Sequence, residues 1–158
     1  TDSLPAIALG LEPHSSEVMK EKPRAAGELI LTKDFLSKIG LEGLVIGIMT
    51  MVGFLAGYHQ NGALLGSTYA FGTLCLSRLF HGFNCRGTRS VFRLPMNPFC
   101  FGAFAIGALL LFAVLCIPAL HGLFDISNAL TGNDILKIAG FAFLPTLLIQ
   151  LFRVVRGK

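Results

Sequence analysis

Charge is scarce in this sequence. Of its 158 residues, 14% are Asp, Glu, Lys or Arg, while 53% are hydrophobic. A soluble domain carries about 25% charged residues, so a water-facing globular fold is excluded. The mean hydropathy of +0.69 places the chain among membrane proteins. Catalytic signatures are missing as well: there is no glycine-rich phosphate loop, no Asp-Lys-Thr-Gly and no His-Glu-x-x-His. These residues cannot hydrolyse ATP by themselves. The four cysteines, Cys75, Cys85, Cys100 and Cys116, show no C-x-x-C spacing and form no zinc signature. Within apolar spans a thiol behaves as a small hydrophobe. No internal repeat or low-complexity tract occurs. A net charge of +4 could suggest nucleic acid, but the basic residues are scattered between apolar runs instead of gathered on a solvated face. A nucleic-acid partner is excluded.

What is present are runs long enough to cross a bilayer. A spanning helix needs about 20 apolar residues at about 1.5 Å each. Four segments qualify: 39–58, with Glu42 near its start; 63–84, with Arg78; 98–117, with no charge; and 135–152, with Lys137 and a Pro145 expected to kink it. The charge-free stretch 43–77 exceeds one span, and Tyr58-His59-Gln60-Asn61-Gly62 supplies turn-forming residues, so a tight hairpin is expected there. Between the spans lie a connection at 85–97 and a longer loop at 118–134, and a tail follows at 153–158. The expected fold is an all-α membrane protein of four transmembrane helices plus the end of a fifth.

That fifth helix is residues 1–11. Leu4 to Leu11 is apolar, too short to span, and followed by the polar connection 12–38 with Pro13 and Pro23. No initiator Met and no basic signal-peptide region come before it. The expectation is that a longer helix is represented here by its last turns. Eleven of the 13 basic residues fall on one side of the membrane: Lys20, Lys22, Arg24, Lys33 and Lys38, then Arg86, Arg89 and Arg93, then Arg153, Arg156 and Lys158. The exceptions are Arg78 and Lys137. By the positive-inside rule that side is cytoplasmic.

Few residues could carry chemistry. Thr1 and Asp2 admit two readings. Asp2 or Ser3 could simply cap a helix with Pro5 in its first turn. Alternatively, a carboxylate and a hydroxyl inside a membrane helix are hard oxygen ligands for a cation. Arg78 lies inside a span, where an arginine costs about 2.5–3.5 kcal/mol on insertion scales. It could snorkel to the nearby interface, or act beside a transport path. Thr73, Ser77, His81 and Asn84 recur at helical spacing next to it and are expected to face the protein interior or a water-filled cavity. Gly43 with Gly47, and Gly53 with Gly57, fit the small-xxx-small pattern of close helix packing. His81 and Cys85 could share a soft metal. His14, His59 and His121 are expected to be solvated.

Two stretches resemble a known family. Thr1-Asp2-Ser3-Leu4-Pro5-Ala6, followed by Ala8-Leu9-Gly10, is similar to the sixth transmembrane helix of P-type calcium-transporting ATPases. Leu79-Phe80-His81-Gly82-Phe83-Asn84, with Ser90-Val91-Phe92, resembles the cytoplasmic end of their eighth helix and the loop after it, in the bacterial type. The resemblance covers the whole chain and implies that this is the C-terminal membrane portion of such a pump. It implies that Asp2 and Thr1 are ligands of the transported calcium ion, and that the 12–24 segment couples the membrane to a phosphorylation domain. It further implies that Mg-ATP and an aspartyl phosphate belong to the parent protein only. The partners would be the parent's earlier helices, its cytoplasmic domains and the lipid bilayer, in the plasma membrane. Arg78 departs from the pattern, standing where reticulum-type pumps carry an acidic ligand. A guanidinium repels a calcium ion instead of binding it, so a site holding one calcium is expected. Carboxylate and hydroxyl oxygens accept manganese as readily.

Two other classes compete with this reading. A self-contained four-helix transporter or scaffold would begin with its own start codon next to Thr1. An integral-membrane enzyme using His81 and Cys85 would need further polar ligands at the same depth.

Overall fold

The computed structural model describes residues 3–11, 32–86 and 97–155, which form five helices. These are α1 (Ser3–Gly10), α2 (Lys33–Asn84), α3 (Pro98–Cys116), α4 (Pro118–Phe124) and α5 (Gly132–Val155). Among the described residues there is no strand.

At 52 residues α2 would be about 78 Å long if straight, against a hydrocarbon core of about 30 Å. It is not straight. Asn61 (φ −151°, ψ 37°) and Gly62 (φ 76°, ψ −168°) leave the helical region. Only a residue without Cβ takes the φ of Gly62 at no steric cost. The two limbs, 33–60 and 63–84, fold back on each other. A Cβ on Gly57 would lie 2.7 Å from the Leu65 carbonyl oxygen, and one on Gly53 would lie 2.9 Å from Thr73 Oγ1. Contacts pairing 57 with 65 and 53 with 73 define an antiparallel hairpin. The break falls at the end of the expected turn, because Tyr58, His59 and Gln60 still continue the first limb.

Caps explain where the other helices begin. Asn97 Oδ1 accepts the Phe99 amide at 2.9 Å, and Pro98 follows at a position needing no N–H donor. Asp134, in the first turn of α5, accepts from the amide of Thr131 at 2.9 Å and from its hydroxyl at 2.6 Å. The loop between α3 and α5 is not wholly irregular, since α4 occupies its first part and closes on Asp125 in the left-handed region (φ 52°). His121 on α4 bonds Asn128 Oδ1 at 2.9 Å and the Leu115 carbonyl at 3.1 Å. It therefore ties this loop together, in contrast to the solvated histidine expected from the sequence. His59 is exposed as expected, and His14 lies outside the described residues.

α5 packs along both limbs of α2 and continues as helix through the buried Pro145. Leu76, Leu79, Leu111, Leu115, Ile126 and Ala142 form the largest apolar cluster, joining α2, α3 and α5. A smaller cluster of Leu65, Tyr69 and Ile138 joins α2 to α5 near the hairpin. α1 lies on α3 through Ala8, Cys100 and Ala103. α2, α3 and α5 are long and apolar enough to cross a membrane, and α2 does so twice because of its break. The exposed faces stay apolar, with Leu109 of the charge-free α3 68% exposed. Such a surface belongs in hydrocarbon.

Candidate functional site

Thr1 and Asp2 lie outside the described residues; the helix they lead into does not. Gly82 sits against Pro5, with 3.5 Å between its would-be Cβ and the proline Cβ. At the far end of α1, Asn97 Nδ2 donates to the Ala8 carbonyl at 3.5 Å. α1 and the second limb of α2 therefore run the same way, toward the end of the bundle where α2 and α5 finish and α3 begins. The connections at this end carry Arg86, Arg89 and Arg93, and the tail carries Arg156 and Lys158. We call it the basic end.

Thr73, Ser77 and Asn84 are fully buried and His81 is half-buried, so this stripe faces the protein interior. Ser77 Oγ donates to the Ala142 carbonyl of α5 at 3.2 Å. Arg78 points elsewhere. It is exposed, one position off the stripe, on the face it shares with Gly82 one turn later. The structure thus separates two roles that adjacency in sequence merges. The stripe packs the helix, and Arg78 faces the side where α1 enters.

The stripe ends in a cluster that sequence reasoning missed. Arg153 NH2 donates to Glu42 Oε1 at 3.1 Å, and NH1 donates to the Asn84 carbonyl at 2.9 Å. His81 Nε2 lies 3.5 Å from Glu42 Oε2, and Gln150 Nε2 donates to Asn84 Oδ1. Arg153 is 7% exposed and Asn84 is 0% exposed. Three crossings, the two limbs of α2 and α5, are locked by these groups. A signal for it exists in the sequence: an acid at the start of the first span and a base at the end of the last sit at matching depth. Intramembrane charges pair by necessity, but Arg153 reads in sequence as the first residue of the basic tail.

A second polar knot closes the opposite end. Tyr69 donates from its hydroxyl to Asp134 Oδ1 at 2.6 Å, and Lys137 Nζ reaches that oxygen at 3.4 Å. Gln60 links Tyr69 to Lys137 through contacts of 3.2 and 3.4 Å. Lys137 therefore has a carboxylate partner at its helix end. Both clusters are built from protein partners, although Arg153 Nε is buried with no hydrogen bond among the described residues. Among the described residues no three of His, Cys, Asp and Glu come together as a metal site. His81 is engaged by Glu42 and Asn84, while Cys85 is exposed at the end of α2.

Comparison with known proteins adds to this geometry. Residues 1–155 match the family model described as "Cation transporting ATPase, C-terminus". A calcium-transporting ATPase of Bacillus subtilis is 37% identical over 162 residues, covering 100% of this chain and 18% of that protein. Calcium-transporting ATPase 1 of Bacillus cereus is 30% identical over 176 residues, covering 99% of the chain and 20% of that relative. A calcium-transporting ATPase of Listeria monocytogenes is 30% identical over 167 residues, at 99% and 18% coverage. The chain spans about a fifth of the length of these relatives.

Proposed function

Since the chain belongs to the family of cation-transporting ATPase C-terminal regions, we propose that it is the C-terminal membrane portion of an ATP-driven calcium pump. Similarity to calcium-transporting ATPases along the whole chain carries this reading. In the whole protein, Mg-ATP phosphorylates an aspartate outside this region, and the resulting movement of helices carries the ion across. Asp2 supplies a carboxylate and Thr1 a hydroxyl to that ion, hard oxygen donors suited to calcium. Earlier helices supply the remaining ligands. The basic end faces the cytoplasm, and the membrane is the plasma membrane.

Arg78 fixes the number of ions. Pro5 touches Gly82, and α1 runs parallel to the second limb of α2. Arg78 lies one turn, about 6 Å, before Gly82 on the limb that Pro5 approaches, and Asp2 stands three positions before Pro5 in the sequence. A fixed cation on that limb takes the place of a second calcium and pairs with Asp2 when the site is empty. The full-length protein, purified and loaded with radioactive calcium, should bind one ion per phosphoenzyme. Two ions would overturn the assignment of Arg78. Asp2→Asn should abolish calcium-dependent phosphorylation by ATP; undiminished phosphorylation would remove Asp2 from the site.

A further inference from the structure

α1 ends where α3 begins, and one buried side chain serves both helix ends. Asn97 is 1% exposed. Its Oδ1 accepts the Phe99 amide at 2.9 Å and so caps α3. Its Nδ2 donates to the Ala8 carbonyl at 3.5 Å. That carbonyl lies in the last turn of α1, where helical carbonyls run short of intrahelical donors. The Leu11 amide also approaches it, at 3.3 Å.

Capping alone does not call for an amide. Aspartate and serine cap a helix N-terminus as well as asparagine does. What asparagine adds is an amide N–H beside the capping oxygen, and here that donor crosses from α3 to α1. At this burial bulk water does not compete for it. The other contacts described for α1 are apolar: Leu4, Ala8 and Leu9 gather against Cys100, Ala103 and Phe83, and Pro5 meets Gly82. Apolar packing is non-directional, so a helix resting on it alone can turn or slide. The bond to Asn97 opposes both movements. Its consequence lies at the other end of α1, which follows directly on Thr1 and Asp2. Calcium takes its oxygen ligands at about 2.3–2.6 Å, and a turn of α1 at Ala8 is carried along the helix to its start at Ser3.

We propose that Asn97 is a positioning residue for the transported cation: it locks the end of α1 to α3 and thereby sets the aim of the ligands that precede Ser3. The inference rests on the reading of α1 as the ion-bearing helix. Its test uses the full-length protein. Asn97→Ser keeps a capping oxygen and removes the amide, while Asn97→Ala removes both. In Asn97→Ser the calcium concentration for half-maximal phosphorylation should rise about tenfold, the scale on which loss of a group that orients a metal ligand is felt. Its ATP requirement and unfolding temperature should change little. Asn97→Ala should show the same calcium shift and also unfold at a lower temperature, because the cap is lost with the amide. Asn97→Asp, another capping residue without the amide, repeats the measurement should the serine variant not assemble. Unchanged calcium dependence in the capping variants would make Asn97 a cap and nothing more, and would overturn the proposal. A calcium shift that appears only in step with lost thermal stability would overturn it too. Asp2→Asn, measured alongside, separates this inference from the reading beneath it. If Asp2→Asn abolishes calcium-dependent phosphorylation while Asn97→Ser leaves the calcium dependence unaltered, the inference alone fails. If Asp2→Asn is without effect, the reading of α1 fails and the inference goes with it.

Discussion

The pair of Glu42 and Arg153 shows why single residues matter more in this chain than their number suggests. Each is buried and each answers the other, with Asn84, Gln150 and His81 taking up most of the remaining donors and acceptors. In such a pair the desolvation of two charges offsets much of their attraction, so the pair itself adds little stability. Removing one partner is different, because the charge left behind has no water to turn to. Arg153→Leu or Glu42→Leu alone should destabilise the full-length protein by about 3–5 kcal/mol. The double substitution should cost clearly less than the sum of the two. Thermal unfolding of the four proteins in detergent closes the cycle. Additive effects would mean that the two groups do not interact and that the cluster is incidental to the bundle.

At the scale of the helices, the two glycine pairs have separate fates. Gly53 and Gly57 are buried at the contact between the limbs of α2, whereas Gly43 and Gly47 are exposed with no atom within 4 Å of a would-be Cβ. Spacing announces a face on which a helix can be approached closely; it cannot say whether a partner is present in the same segment of chain. For Gly57 the partner is backbone, the Leu65 carbonyl oxygen at 2.7 Å, which cannot swing aside as a side chain does. Gly57→Ala should therefore cost about 1–3 kcal/mol by forcing the limbs apart. The same change at Gly102, exposed on α3 with open space around it, should be neutral or gain up to about 1 kcal/mol from helix propensity. Thermal unfolding of the two full-length variants side by side makes the comparison. Equal losses would mean that close packing of the hairpin is not what Gly57 serves.

For the whole molecule, the crossings are legible in the sequence because a bilayer imposes a length. A charge-free run of 43–77 has to turn, and the available residues place the turn around 58–62. What cannot be read there is which side chains meet. The contact of Glu42 with Arg153 spans 111 positions and that of Tyr69 with Asp134 spans 65, separations that no local pattern encodes. Arg78 stands out in the sequence for its cost in lipid, yet its direction away from the buried stripe becomes visible only with the helix packed. The orientation we propose, by contrast, rests on charge alone. The segments at one end of the bundle carry Arg86, Arg89, Arg93, Arg156 and Lys158, while 118–133 has no basic residue but His121. The difference in Lys and Arg between the two ends sets which of them is retained in the cytoplasm during insertion. Ala129, small and exposed in the loop before α5, is a suitable reporter when replaced by cysteine in the full-length protein. In intact cells a membrane-impermeant maleimide should label Ala129→Cys, and should reach the exposed Cys85 only after permeabilisation. The reverse pattern would invert the topology and place the basic end outside. The path proposed for calcium would then run in the opposite sense, while the packing of the bundle would stand as described.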